Sequence, residues 1–207
     1  MLIPRFYPIL DPDAALSRGL DPVWTASEIL AAGSPILQLR HKGFFSRQAY
    51  HMLNRIAGLC REAGALLVVN DRADLARIFG AALHLGQDDL PPRAARLVTG
   101  PDLAIGFSTH NEEQLRAAAA EPVDYVALGP IFGTATKQNP DPQVGLAGLI
   151  RLRPLSPRPL VAIGGITLAN ARSVREAGAD SVAVIAGLFP EDGQVRARAE
   201  QWIMLVS

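Results

Sequence analysis

The chain has 207 residues, of which 49% are hydrophobic and 19% are charged, and its 20 basic and 20 acidic side chains cancel. This composition allows one substantial core and gives no broad basic field for nucleic acid or anionic lipid. No apolar run approaches the roughly 20 residues that span a bilayer, and Met1–Phe6 lacks the pattern of a secretory signal. We therefore expect a cytoplasmic protein with one domain over residues 1–207 and small-molecule partners, without nucleic acid or membrane partners. The oligomeric state, including a homo-oligomer, stays open.

Short runs rich in Val, Ile and Leu alternate with helix-like stretches along the chain, which is typical of parallel strands joined by crossover helices. The predicted strands are Phe6–Leu10, Ile36–Arg40, Leu66–Asn70, Ala82–Leu85, Ala104–Ser108, Tyr125–Gly129, Leu160–Gly164 and Ser181–Ile185. The predicted helices are Trp24–Ala32, Arg47–Ala63, Asp74–Phe79, Arg93–Val98, Glu112–Ala119, Leu146–Leu152, Leu168–Ala177 and Gln194–Met204.

Eight strand and helix units fit either a closed barrel or a doubly wound open sheet, and periodicity alone does not separate the two. Polar residues follow the carboxyl ends of the second to eighth strands, whereas an open sheet would gather them at one topological switch point. We therefore predict an α/β protein, a (β/α)8 TIM barrel with its ligand site at the C-terminal ends of the strands.

Thr109 with Glu112 fits a capping box for the helix after the fifth strand.

The second strand ends in a polar segment with two cations. Alternation places Gln38, Arg40 and Lys42 on one side if the extended conformation continues. Two cations at a strand end suit a phosphate group. The alternative is a solvated strand end with its charges turned outward.

Carboxylates follow the third and fourth strands. Asp71 comes directly after the third strand, and Asp89 lies four residues beyond the fourth. Neighbouring parallel strands are roughly 4.8 Å apart, so both carboxylates can reach one cation, and Mg2+ prefers oxygen ligands. The alternative is helix capping by Asp71 and Asp74, with Asp88 and Asp89 in an ordinary turn.

Two later segments favour anion binding. The long loop 129–142 contains Thr134, Thr136 and Lys137, two hydroxyls and a cation, unless it is only a surface loop. Gly164 and Gly165 end the seventh strand, and small residues also follow the eighth, where barrels of this kind bind phosphate through backbone N–H groups. The alternative for the two glycines is a tight turn.

The four histidines, His41, His51, His84 and His110, lack metal-ligand spacing. His110 follows the fifth strand and is the one placed to act on a substrate. We expect His51 and His84 to be structural.

Six segments together resemble, in chain order, the motifs of thiamine-phosphate synthases. They are Gln38–Lys42 (QLRHK), Val69–Arg72 (VNDR), His84–Asp89 (HLGQDD), Gly106–His110 (GFSTH), Gly129–Lys137 (GPIFGTATK) and Ala162–Ile166 (AIGGI). The resemblance implies a Mg2+-dependent transferase that joins a pyrimidine diphosphate to a thiazole phosphate and releases pyrophosphate before the new bond forms.

The resemblance also implies roles for individual residues. Residues that would hold the pyrimidine diphosphate are Gln38, Arg40, Lys42, Asn70, Ser108 and Lys137, with His41 in the same binding segment. Asp71 and Asp89 would bind Mg2+, while Arg40, Lys42 and Lys137 would stabilise the leaving pyrophosphate. Residues that would contact the thiazole phosphate are Thr134, Thr136, Gly165, Ile185 and Ala186.

Two positions depart from the family pattern: His41 stands where glutamate is usual, and Ala186 where serine is common. Two alternatives remain. A related thiazole tautomerase typically lacks the paired aspartates and the Thr-x-Thr-Lys loop, and a catalytically silent phosphate-binding barrel would keep only the glycine loops.

Overall fold

Eight parallel strands close into a barrel in chain order, with β1 paired to β8. The structure is a computed structural model that describes residues 3–133 and 141–206. The strands are β1 Phe6–Leu10, β2 Ile36–Leu39, β3 Leu66–Asn70, β4 Ala82–Leu85, β5 Ile105–Thr109, β6 Tyr125–Leu128, β7 Leu160–Ile163 and β8 Ser181–Val184. Every predicted strand is present, with bounds that differ by one residue at most, and the predicted (β/α)8 barrel is confirmed.

Helices surround the barrel. They are α1 Pro12–Leu16, α2 Pro22–Ala31, α3 Arg47–Glu62, α4 Ala73–Phe79, α5 Pro92–Thr99, α6 Glu112–Ala118, α7 Gly145–Leu152, α8 Ala171–Glu176 and α9 Val195–Val206, with short 3-10 helices at Arg153–Leu155 and Ala186–Leu188. Among the described helices, none is both long and apolar enough to cross a membrane.

The predicted helices are present with bounds that differ by two residues at most, except that α8 begins at Ala171 and not at Leu168. Two further features of the helix starts differ from the prediction. The five-residue helix α1 was not predicted; the Asp11 side chain caps it by accepting from the backbone of Asp13 and Ala14. The predicted Thr109 capping box is wrong, because Thr109 ends β5 and its hydroxyl donates to the Ala127 carbonyl at 2.8 Å. Asn111 caps α6 instead, since its side chain accepts from Gln114 N–H. Short polar side chains cap best from a position just outside the helix.

Apolar side chains fill two layers. The larger cluster lies between the strands and the helices, and the smaller one fills the barrel itself. Alternation along each strand explains this division: Phe6 and Leu10 of β1 belong to the outer cluster, whereas Tyr7 and Ile9 belong to the inner one.

Two equivalent ion pairs fasten helix ends to strand starts at the N-terminal face. Arg96 pairs with Asp124 at 3.1 Å, and that carboxylate accepts from the backbone N–H of Ile105, which starts β5. Arg153 pairs with Asp180 at 2.9 Å in the same way, and Asp180 accepts from the first N–H of β7. In barrels of this kind the N-terminal face contributes stability, and the opposite face carries the chemistry.

Candidate active site

A cavity of about 870 Å³ opens at the C-terminal ends of the strands. This volume is in the range of small-molecule sites. Predicted site residues that line it are Arg40, Lys42, Asn70, Asp71, Asp89, Ser108, Gly165, Ile185 and Ala186. Thr134, Thr136 and Lys137 lie outside the described residues.

Gln38 and His41 lie away from the cavity wall. Gln38 does face the barrel interior with Arg40, as alternation predicts, but it lies one layer deeper, is 2% exposed and donates to the Tyr7 hydroxyl at 2.9 Å. His41 packs edge-on against Phe45 with ring centroids 5.6 Å apart. Neither residue lines the cavity, and the predicted contact of these two residues with substrate stays a prediction.

The two cations of β2 and its following loop are each held by a carboxylate. Arg40 forms an ion pair with Asp11, and its side chain is 22% exposed. Lys42 Nζ lies 2.6 Å from Asp71 Oδ2. Since both cations line the cavity, the alternative of charges turned outward does not describe this strand end.

Asp71 occupies a special backbone position at the end of β3. Its φ of 65° is in the left-handed region, and its N–H donates to the His84 carbonyl at 2.8 Å. Burial and the neighbouring Asp89 carboxylate raise the pKa of Asp71 to about 6, although Lys42 opposes this shift. Two carboxyl groups therefore lie close enough to disfavour each other's charge.

The capping alternative for these aspartates is wrong in part. Helix α4 has no side-chain cap, and Asp74 forms an ion pair with Arg72 at 2.6 Å. Asp89, however, is a turn residue as well as a cavity residue, because its carboxylate accepts from the Gly86 N–H at 2.7 Å.

The paired carboxylates fit a divalent cation. A cation between Asp71 and Asp89 would relieve the repulsion that raises the pKa of Asp71. The described residues contain no group of three or more His, Cys, Asp or Glu side chains that could hold a metal. Two carboxylates supplemented by water and phosphate oxygens are the usual arrangement for Mg2+.

Asn70, the last residue of β3, offers an unused donor. It is 8% exposed, and its Nδ2 is buried without a hydrogen-bond partner within the described chain. An unsatisfied buried donor costs about 1–3 kcal/mol, so its presence on a cavity wall points to a ligand acceptor.

The far side of the cavity is formed by the glycine loop after β7. Gly164 and Gly165 have φ of 96° and 64°. A Cβ atom at Gly165 would lie 2.5 Å from the Gly133 carbonyl oxygen and 2.7 Å from Phe132 Cβ. Only glycine fits this close approach of the loops after β6 and β7. Ile185 and Ala186, which lead into the 3-10 helix after β8, line the same region.

Several cavity residues were given no site role from the sequence, among them Arg198, Trp202 and His84. Arg198 and Trp202 reach the cavity from α9, and Trp202 also donates to the Gly187 carbonyl at 3.1 Å. His84, expected to be structural, lines the cavity and lies 2.9 Å from Ser108 Oγ. The motif segment His84–Asp89 could have pointed to His84, whereas only barrel closure reveals which face of α9 meets the ligand space.

His110 is held by its own neighbours at the cavity wall. Its Nδ1 lies 2.6 Å from the Gly129 carbonyl, and its backbone N–H donates to the Gln114 side chain at 2.8 Å. Nδ1 therefore carries hydrogen and donates to that carbonyl.

These features define a class: a (β/α)8-barrel enzyme with cations and carboxylates on one side of its mouth and a phosphate-type glycine loop on the other. A family model described as thiamine monophosphate synthase matches residues 6–188. The chain belongs to the thiamine monophosphate synthase family, as its motifs predict.

Individual relatives agree with this assignment. A thiamine-phosphate synthase from Koribacter versatilis is 46% identical over 99% of this chain and 96% of the relative. One from Laribacter hongkongensis is 41% identical over 88% of this chain and 86% of the relative. The solved thiamine phosphate pyrophosphorylase from Pyrococcus furiosus superposes with a TM-score of 0.86 at 31% identity, covering 98% of this chain and 95% of that chain.

Proposed function

We propose that this protein is a thiamine-phosphate synthase. It would couple 4-amino-2-methyl-5-(diphosphooxymethyl)pyrimidine with a thiazole phosphate, or with its carboxylated form, to give thiamine phosphate and pyrophosphate. Its partners are these two small molecules, and we expect it to act in the cytoplasm as one domain. The observation that carries the proposal is the cavity itself, which joins the charged ends of β2 to β4 to the glycine loops of β7 and β8.

The two sides of the cavity suit two anionic substrates. The diphosphate belongs with Arg40, Lys42 and the unpartnered amide of Asn70, because these are donors to anionic oxygens. The single phosphate of the thiazole belongs with the backbone of Gly165 and Ala186, since both residues line the cavity and no side chain fits at Gly165. The resemblance adds Lys137 to the first group and Thr134 and Thr136 to the second.

The reaction needs charge stabilisation more than proton transfer. The carbon–oxygen bond of the pyrimidine diphosphate breaks, and its electron pair leaves with pyrophosphate. The thiazole ring nitrogen then donates its electron pair to the pyrimidine carbocation; a carboxylated thiazole also loses carbon dioxide. Arg40, Lys42 and Lys137 would stabilise the charge that grows on the leaving group. Binding both substrates in one cavity holds the reacting atoms in line.

Asp71 and Asp89 are the residues that would hold Mg2+. When bound, this ion supplies positive charge to the leaving diphosphate. Lys42 already contacts Asp71 at 2.6 Å and would then be shared between the carboxylate and the substrate. The chain's own contribution is thus to keep these charges in place before the substrate arrives.

The test is to incubate purified protein with both substrates and Mg2+ and to detect thiamine phosphate by mass spectrometry. Omitting either substrate, or adding EDTA, should abolish the product. Product formed at the full rate in EDTA would contradict the metal assignment and leave the coupling function in place.

A further inference from the structure

Five polar side chains form one hydrogen-bonded row through the barrel interior, directly below the cavity. The row links Gln38 Nε2 to Tyr7 OH at 2.9 Å, Tyr7 OH to Tyr125 OH at 2.6 Å, Tyr125 OH to His84 Nδ1 at 3.0 Å, and His84 Nε2 to Ser108 Oγ at 2.9 Å. Each residue comes from a different strand: β2, β1, β6, β4 and β5. Only the last members, His84 and Ser108, line the cavity.

Glycine in β5 allows the row to form. His84 of β4 and Tyr125 of β6 are both register partners of Gly106, the residue between them. A Cβ atom at Gly106 would lie 2.0 Å from Cζ of the Tyr125 ring. Because this position carries no side chain, the two rings meet across β5 with centroids 5.6 Å apart.

The row is shielded from water, so its polar atoms must satisfy one another. Tyr7 is 1% exposed, Tyr125 is 0% and His84 is 8%. Burial raises the pKa of both tyrosines, which keeps their hydroxyls protonated. Each ring nitrogen of His84 contacts one hydroxyl oxygen: Nδ1 contacts Tyr125 OH, and Nε2 contacts Ser108 Oγ.

The hydrogen bonds of the row then all run in one direction, from Gln38 towards His84. Gln38 donates to the oxygen of Tyr7, so the Tyr7 hydroxyl hydrogen goes to Tyr125. Tyr125 in turn donates to His84 Nδ1, which must be the bare nitrogen. With Gln38 donating, the opposite direction would leave the Tyr7 hydrogen buried without an acceptor among the described residues. That arrangement costs about 1–3 kcal/mol.

We propose that this row is a positioning device for Ser108. It fixes His84 as the Nε2–H tautomer, which donates to Ser108 Oγ and so directs the Ser108 hydroxyl hydrogen to an acceptor atom of the pyrimidine diphosphate. His84, Tyr125 and Tyr7 act through Ser108 and are positioning residues. The identity of the ligand rests on the proposed function, but the direction of the row does not.

The first test needs no substrate. Nitrogen-15 NMR of histidine side chains distinguishes the two neutral tautomers, and His84→Gln assigns the signal among the four histidines. We expect the Nε2–H form at pH 7 in the wild type, and a fall in its population in Tyr125→Phe. If Tyr125→Phe folds poorly, Tyr7→Phe, one step further along the row, can replace it. The Nε2–H population of His84 should fall in this variant as well. A wild-type Nδ1–H tautomer would overturn the proposal.

The second test measures whether Tyr125 acts through Ser108. We expect Tyr125→Phe to weaken binding of the pyrimidine diphosphate about fivefold, the size of one hydrogen bond, as measured by titration calorimetry. In a Ser108→Ala background the same change should alter the Kd by less than about twofold, because the shared hydroxyl is gone. If Tyr125→Phe changes the Kd by the same factor in both backgrounds, Tyr125 does not act through Ser108 and the positioning role is contradicted.

Thr109→Val is the matched control. It removes another buried hydroxyl bond, from the residue next to Ser108 but outside the row. It should lower the melting temperature without changing the Kd or the His84 tautomer. If the wild type makes no thiamine phosphate, the proposed function fails, while the tautomer measurement still decides the direction of the row.

Discussion

Two aspartates at the ends of β3 and β4 carry the proposed metal site. We expect Asp89→Asn to lower kcat/KM at least a hundredfold while leaving the melting temperature nearly unchanged. The amide oxygen can still accept from Gly86 N–H, but it no longer offers charge to Mg2+. We expect Asp71→Asn to lower kcat/KM by a similar factor, also with little change in the melting temperature.

Asp74→Asn is the control for both variants, because Asp74 is an exposed carboxylate near the site that pairs with Arg72. It should keep wild-type kinetics. If Asp89→Asn and Asp74→Asn show the same rate, the carboxylate pair has no part in the reaction.

His110 separates a synthase from a tautomerase. A tautomerase needs a group that moves protons, and histidine suits this task near neutral pH. A synthase needs charge stabilisation instead, so we expect His110→Gln to keep measurable coupling activity under conditions where Asp89→Asn has lost nearly all of it. The reverse ranking in a steady-state assay would favour the tautomerase.

Arg198 brings a cation of α9 to the cavity, on the side of the glycine loops. We expect Arg198→Met to raise the KM for the thiazole phosphate about fivefold or more, since charged hydrogen bonds contribute about 1.5–3 kcal/mol. The KM for the pyrimidine diphosphate should change little. Arg196→Met is the control, because Arg196 pairs with Glu28 at 3.1 Å on the protein exterior. Equal effects on both KM values would refute a role in thiazole binding.

Burial of His84 has a consequence for acid stability. Its pKa falls to about 4 in the folded chain, below the ordinary 6.5, so the unfolded chain binds more protons between these values. Stability should therefore decrease by about 1.4 kcal/mol per pH unit from this group as the pH falls through that window. Nearby Asp89 opposes the lowered pKa and Lys42 adds to it.

Urea unfolding between pH 7.5 and pH 4 measures this effect. Asp71, whose pKa is raised to about 6, works in the opposite direction over part of the range. The contribution of His84 is therefore the difference in slope between the wild type and His84→Gln. Parallel slopes would mean that His84 titrates normally in the folded protein.

Single residues show how far side-chain patterns can be predicted from the sequence. Alternation correctly placed Gln38 and Arg40 on the same side of β2. Alternation did not predict how deep each side chain lies in the barrel. Gln38 belongs to a lower layer of the interior, where its amide donates to the Tyr7 hydroxyl. Layer position depends on how neighbouring strands are staggered, and one strand's sequence does not contain that information.

At the scale of elements, strands were predictable because each is an apolar run buried on both faces. Helix starts were harder to predict from the sequence than strands. Helix α1 has five residues, too few for a helical period, although Asp11 and Pro12 are a recognisable cap and first position. Thr109 resembled a cap in spacing, but pairing of β5 with β6 extends the strand through it.

The ion pairs at the N-terminal face give a prediction about stability alone. We expect Asp180→Ala to lower the free energy of unfolding by about 1–3 kcal/mol, because it leaves the Leu160 N–H and Nη2 of Arg153 without their acceptor. Activity of the folded enzyme should not change, since the site is at the other end of the barrel. Chemical denaturation measures the loss; a stability equal to the wild type would show that these pairs are incidental.

At the scale of the whole molecule, closure of the barrel converts six separate motifs into one site. Their order along the chain was enough to predict which side of the fold would bear the ligands, because all parallel strands end at the same mouth. The contribution of α9 was not predictable, since Arg198 reaches the cavity only when this last helix packs against α2 and β1 from the beginning of the chain and against the 3-10 helix Ala186–Leu188.

Coupling of two phosphorylated substrates in one cavity can be followed by phosphorus-31 NMR of the purified protein with Mg2+, the pyrimidine diphosphate and the thiazole phosphate. We predict that pyrophosphate and thiamine phosphate appear in equal amounts as both substrates disappear. Tautomer conversion of the thiazole without pyrophosphate release, or no change in either substrate, would contradict it.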